Sequence, residues 1–269
     1  KKAFRSRVYD CIYQSRIGQR TIERPRGYQG DYKTIDIFYD NKPLSEGLGS
    51  YFDTHILTRH YAVAVRNRLR QMVAILEEFI TKSGFESTKI LNVACGPCRE
   101  MREFFSLPQK TKKKLLFTCL DQDREALEYS KEKLQGIPKN VEVCFVAEDV
   151  ATMVKKPEEF SKVLGMQHFI YSIGLADYLP DRVLRKLVHF CFTLLEPNGQ
   201  LVVTHKDRAK HKPITPDWLC DWTFIPRDEE QLLNALQLSS LPNASYRVER
   251  DDSQLIMFFF ITKGIPPRE

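Results

Sequence analysis

Hydrophobic patterning changes character near residue 84. Before it, Val65, Leu69, Met72, Leu76 and Phe79 recur at spacings of 4, 3, 4 and 3, which makes one face of a long helix ending at Lys82-Ser83-Gly84. Asp53-Thr54 offers the N-cap of that helix. Arg66, Arg68 and Arg70 lie on its other face and read as solvated. Residues 1–52 mix short apolar groups with Arg, Gly and Pro, show turns at 27–30 and 41–49, and yield no clear element.

From residue 89 the chain alternates apolar runs with helical stretches. Strands are expected at 90–94, 115–120, 141–146, 168–173 and 200–204. Helices are expected at 99–106, 124–134, 157–164 and 181–195. Gly136 and Gly199 stand where helices should stop, and Pro180 where one should start. Five such units imply a parallel sheet covered on both faces. A helix at 228–238 and a strand pair at 245–249 and 255–262 then predict a closing antiparallel hairpin. The expected fold is α/β, a doubly wound, mainly parallel sheet with a C-terminal antiparallel hairpin and a helical N-terminal extension. Residues 1–83 form the extension and 84–269 the main domain.

Composition narrows the class. The 269 residues are 42% hydrophobic, with a mean hydropathy of −0.38, as expected of a globular chain able to bury a large core. The apolar run from Leu255 to Ile261 is far short of the roughly 20 residues of a membrane helix. With no apolar secretory leader at the start, the cytoplasm is the expected location. Seven scattered cysteines, mostly in apolar stretches, suggest reduced thiols. One CxxC without an HxxxH spacing does not supply a structural zinc set, so no metal is expected. The first 30 residues carry eight basic side chains against two acidic ones, which accounts for the whole net charge of +6. That basic arm is expected to be solvated, or to meet an anionic partner or another domain.

Residues 90–100, ILNVACGPCRE, carry the sharpest chemistry. Cys95-Gly96-Pro97-Cys98 is the redox motif of thioredoxins, and a cysteine at a helix N-terminus suits thiol–disulfide exchange. However, Ala94 replaces the usual Trp before the first cysteine, and about 120 residues with two further βα units follow the proline that would complete such a fold. The alternative is a buried strand, a tight turn and a helix start, whose backbone amides would face a nucleotide. The small Ala94, Gly96 and Cys98 would let a ligand approach closely.

On these residues the chain resembles the Rossmann-like S-adenosylmethionine (AdoMet) methyltransferases. The first motif of that family reads as an acidic residue followed by G-x-G-x-G; here Asn92 replaces the acid, Ala94 the first glycine and Cys98 the third. The resemblance is carried further by Asp121, 25 residues after Gly96, and by Ala147-Glu148-Asp149-Val150. Small Ser172 and Gly174 in the stretch Tyr171 to Leu179, and the turn Leu195-Glu196-Pro197-Asn198-Gly199, also match. It implies AdoMet as cofactor, with Asn92, Ala94, Cys95, Gly96 and Pro97 at its loop and Asp121 and Gln122 at its ribose. Glu148, Asp149 and Val150 would lie at its adenine, and Ser172 and Gly174 where the cofactor's methionine end meets the acceptor. Asp123 suits a helix N-cap better than a ribose contact. A narrower resemblance, through ACGP, Leu120 to Asp123, Tyr171 to Leu179 and Asp221-Trp222, is to bacterial methyltransferases associated with 3-hydroxy-fatty-acid methyl ester signals. It implies a fatty-acyl carboxylate as acceptor.

An activated methyl group needs an aligned acceptor and exclusion of water, and a base only when the acceptor is an alcohol, phenol or amine. His205, Asp177 and Tyr178, at strand ends, are the catalytic candidates. Tyr51, His55, His60 and Tyr61 could fold over the site. Trp218 and Trp222, in the loop from Lys206 to Arg227, suit an apolar acceptor. A small or lipidic acceptor is expected rather than nucleic acid, since no Asn-Pro-Pro-Tyr-type motif follows the fourth strand. A catalytically silent AdoMet-binding module and a thiol–disulfide oxidoreductase using Cys95 and Cys98 are the alternatives.

Overall fold

A computed structural model describes residues 1–108, 112–210 and 214–265. The N-terminal region is helical, with α1 (Lys2–Ile12), α2 (Arg16–Glu23), α3 (Tyr32–Asp40), α4 (Gly47–Thr58) and α5 (His60–Lys82). Then β1 (Ser87–Val93), α6 (Arg99–Ser106), β2 (Lys114–Asp121), α7 (Arg124–Lys133) and β3 (Val141–Ala147) alternate. They are followed by α8 (Val150–Lys155), α9 (Pro157–Leu164), β4 (Gln167–Ser172), α10 (Asp181–Thr193) and β5 (Leu195–Lys206). The chain closes with α11 (Ile214–Cys220), α12 (Glu229–Leu236), β6 (Ala244–Arg250) and β7 (Ile256–Lys263).

The strands form one seven-stranded sheet in the order β3-β2-β1-β4-β5-β7-β6. β1 to β5 run parallel, β7 pairs antiparallel to β5, and β6 antiparallel to β7. Alternate residues of each strand serve two separate cores, which explains the nearly unbroken apolar runs. Ile90, Phe117, Cys119, Phe169, Phe258 and Phe260 face α5, α6 and α7. Leu91, Val93, Leu120, Ile170, Met257 and Phe259 face α8, α9, α10 and α12. The strand order reverses between β1 and β4, and in such sheets the crevice for a ligand opens at that point, beyond the carboxyl ends of the strands.

The N-terminal region departs from the sequence reading. Asp53 does not cap α5; it sits fully buried inside α4. Its carboxylate accepts hydrogen bonds from the Ser15 hydroxyl and from the Ile17, Leu44 and Ser45 amides. Burial alone would raise its pKa, but these bonds outweigh burial and hold it below the usual value. Helix α4 reaches the turn between α1 and α2 closely enough that a Cβ on Gly49 would lie 2.0 Å from the Gln14 carbonyl oxygen.

Much of the basic arm is folded onto the molecule, while Lys2, Arg7 and Arg16 remain exposed. Lys1 and Arg5 bridge to Asp217 and Asp221, Arg20 to Asp31, and Arg26 to Asp123 and Glu125, while Arg24 donates to the Cys220 carbonyl. Arg68 is also not solvated: it is 4% exposed.

Candidate cofactor and acceptor site

β1 ends in a turn whose backbone explains the unusual loop sequence. Ala94, Gly96 and Cys98 all take left-handed conformations, with φ of 55°, 50° and 46°. These are the three positions at which the resembled motif carries glycine. The backbone path is therefore kept while two glycines are lost, at a cost on the order of 1 kcal/mol for each strained residue. The turn is held by Cys95 N–H donating to the Leu120 carbonyl at 3.1 Å and Cys98 N–H to the Cys95 carbonyl at 3.1 Å.

Asp121 ends β2 beside this turn. One carboxylate oxygen accepts from Gly96 N–H at 2.8 Å and the other from Asp123 N–H at 2.9 Å, which fixes the group at the mouth of the crevice. Burial raises its pKa, so further hydroxyl donors would be favourable there. Asp123 caps α7 and is bound by Arg26 and Tyr28. At the end of β3, Glu148 accepts from Asp149 N–H, and Asp149 caps α8 through Thr152 N–H.

A cavity of about 1090 Å³ runs from this crevice to the N-terminal helices. It brings together Ala94, Cys95, Gly96, Pro97, Asp121, Gln122, Glu148, Asp149, Val150 and Gly174 on one side. His55, His60, Tyr61, Tyr178 and Trp222 join them around the other. Trp222 Nε1–H donates to the Tyr178 hydroxyl at 2.7 Å, and its ring stacks on Phe38. Other candidates lie elsewhere. Tyr51 is 77% exposed on the outer face of α4. Trp218 does not line the cavity; it packs edge-on against Phe4, which does. Asn92 points beneath the loop, donating to Glu100 at 2.8 Å, and Ser172 is buried without lining the cavity.

Two of the catalytic candidates are enclosed at the sheet end. His205 is 1% exposed, with Nδ1 at 2.7 Å from the Lys206 carbonyl and Nε2 at 3.1 Å from Arg227. The ring is thus enclosed and is not among the residues that line the cavity. Asp177 is equally buried, accepting from Lys206 N–H at 2.8 Å and Lys206 Nζ at 2.6 Å. Burial would raise it, but Lys206 and His205 bring its pKa down to about 2, so it anchors Lys206 rather than taking protons near neutrality.

Three residues of the cavity wall carry no sequence signal. Lys206 places Nζ 3.8 Å over the Phe224 ring. Glu100, on α6, accepts from Asn92 and the Tyr171 hydroxyl, and burial pushes its pKa up to about 7. Arg68 reaches across from α5 and donates to the Tyr39 hydroxyl at 3.1 Å, while its buried Nε has no partner. Among the described residues it forms no ion pair, and Asp177, engaged by Lys206, attracts it from farther away. Its guanidinium rests on Gly174, where an added Cβ would meet Nη1 at 2.7 Å. Only the helical period places Arg68 on α5, and that period gives no warning that α3 and the sheet end enclose it.

The fold is that of the class I AdoMet-dependent methyltransferases. A "possible exported protein" from Bordetella parapertussis superposes with a TM-score of 0.73 at 18% identity, covering 96% of this chain and 87% of that one. The plantazolicin methyltransferase BamL, bound to a desmethyl-plantazolicin analogue and S-adenosylhomocysteine, covers 97% of this chain and 99% of its own at a TM-score of 0.57 and 13% identity. Magnesium protoporphyrin IX methyltransferase from Synechocystis PCC 6803, with bound S-adenosylhomocysteine, gives 0.54 at 9% identity over 75% of this chain and 85% of its own. No protein-family model and no curated protein sequence matches the chain. Among the described residues no helix is long and apolar enough to cross a membrane.

Proposed function

We propose that the chain is an AdoMet-dependent methyltransferase that O-methylates an apolar, small or lipidic acceptor bearing a carboxylate. The observation that carries this is the pairing of the Asp121 carboxylate with the Gly96 amide at the mouth of a large apolar-walled cavity. The residues suit AdoMet: the space where a Gly96 Cβ would stand is open for 4 Å, so a ligand can lie against the backbone. Bound AdoMet would supply a methyl group already activated on its sulfonium. Asp121 would accept the ribose hydroxyls, Glu148, Asp149 and Val150 would line the adenine, and Gly174 would leave room at the methyl end. The N-terminal helices would act as the lid that excludes water.

The acceptor reading rests on charge. An apolar chamber walled by Phe38, Tyr61, Trp222 and Phe224 holds a buried guanidinium in no direct ion pair; the carboxylate that attracts it, Asp177, is already bound by Lys206. Such a cation favours an anionic ligand group strongly, because both are desolvated. We assign Arg68 to the acceptor's carboxylate, whose ionised oxygen needs no base; this agrees with the enclosure of His205 and Asp177. A 3-hydroxy-fatty-acyl chain has the required chemistry, and the bacterial signal-ester enzymes are the narrower family reading.

The test is transfer of labelled methyl from AdoMet to medium-chain 3-hydroxy acids, read as ester formation. Arg68→Ala should lower kcat/KM for the acid by about 100-fold, leaving S-adenosylhomocysteine affinity within about twofold. An equal loss of cofactor affinity would move Arg68 to the cofactor's own carboxylate. Absence of ester with every acid would remove the acceptor assignment.

A further inference from the structure

Three thiols that methyl transfer does not use converge beneath the cofactor loop. The Sγ atoms of Cys95, Cys98 and Cys119 all lie within 4.8 Å of one another. Cys95 and Cys98 bracket the turn, and Cys119 comes from β2, two residues before Asp121. All three are buried, and Cys119 Sγ also lies 3.5 Å from the Met101 thioether on α6. We propose that Cys95, Cys98 and Cys119 form a binding site for one soft monovalent d10 metal ion, Cu(I), with Met101 as a flanking sulfur.

The geometry needs little rearrangement. Metal–thiolate bonds of about 2.3 Å place three sulfurs of a trigonal site about 4 Å apart, so each sulfur moves inward by a few tenths of an ångström. The donor set selects the ion. Structural zinc sites are almost always four-coordinate with nitrogen, oxygen or thiolate donors. Here the neighbouring carboxylate, Glu100, is already engaged by Asn92 and Tyr171, and the remaining donor is a thioether. Thiolate and thioether together favour Cu(I). Binding releases thiol protons to solvent and moves no electron. Cys95 lines the cavity and provides the route of entry. An occupied site would join the cofactor loop to β2 directly beneath Asp121.

The reduced full chain is titrated anaerobically with Cu(I) against a chromophoric Cu(I) chelator, and the bound form is examined by X-ray absorption. We expect one equivalent withheld from the chelator and a first shell of sulfur alone. Cys119→Ser should weaken retention at least 100-fold, while Cys11→Ser and Cys144→Ser, at exposed cysteines, should leave it unchanged. No retention by the wild-type chain, nitrogen or oxygen in the first shell, or loss that follows Cys11 or Cys144 would overturn the proposal. The absorption spectrum of the wild-type chain decides this even if the Cys119 variant does not fold. None of these readouts depends on methyl transfer.

Discussion

Single residues hold the chemistry that the sequence disguises. Ala94 and Cys98 look like departures from a glycine motif, yet both keep the left-handed conformation the turn requires. Conformation is not written in the residue letters when non-glycine residues are forced into it, so the loop reads as a redox motif until its neighbours are considered. Ala94→Gly should relieve strain worth about 1–2 kcal/mol against a glycine entropy cost of about 0.5–1 kcal/mol. Chemical denaturation should therefore show stability equal to or slightly above wild type. A loss above about 1 kcal/mol would mean the Ala94 methyl is needed for packing. Glu100 offers a second test at this scale. Its folded pKa, raised by burial to about 7, exceeds the ordinary 4.5, so the folded chain keeps a proton that the unfolded chain releases between those values. Its contribution is fully present below pH 4.5 and is lost as pH rises toward 7, at a cost on the order of 3 kcal/mol. Glu100→Gln should flatten the stability profile across that window. An unchanged slope would contradict the assignment.

At the scale of elements, legibility follows the range of the interactions that form each one. β1 to β4 and α6, α7, α9 and α10 emerge at nearly the expected bounds, because both-face burial writes apolar runs and capping residues into the local sequence, whereas β5 already begins at Leu195, within the stretch expected as a turn. The helices before α5 do not. α1 to α4 are ordered by contacts far along the chain, such as Asp53 with Ser15 and Arg26 with Asp123, which no window of sequence contains. Gly49 marks the closest of these approaches. Helix propensity alone favours alanine there by about 0.5–1 kcal/mol, but the clash with the Gln14 carbonyl predicts that Gly49→Ala lowers stability by about 1–3 kcal/mol. Thermal unfolding gives the sign directly, and a stabilised variant would show that α4 and the turn between α1 and α2 do not pack as described.

Across the whole molecule, function arises where two regimes of the chain meet. The sheet contributes one side of the cavity, and the placement of that side was readable, since Asp121 ends β2, Glu148 follows β3 and Gly174 follows β4. The other side comes from the N-terminal helices and the segment after β5. Folding buries Arg68, seals His205 and Asp177 behind Lys206, and turns Tyr51 outward. Only the tertiary arrangement distinguishes these outcomes, because an arginine on an amphipathic helix looks the same in sequence whether solvent or a cavity lies before it. The same convergence sets Cys119 beside the loop cysteines across an interval of more than 20 residues.

Binding of AdoMet in the crevice beyond β1 and β2, through Asp121, is the proposal on which the rest depends. Calorimetric titration of the folded chain with S-adenosylhomocysteine decides it. One site per chain is expected, weakened about 10- to 100-fold by Asp121→Ala, as follows from loss of hydrogen bonds to a charged acceptor. No heat of binding from the wild-type chain, or equal affinity in the Asp121 variant, would contradict it.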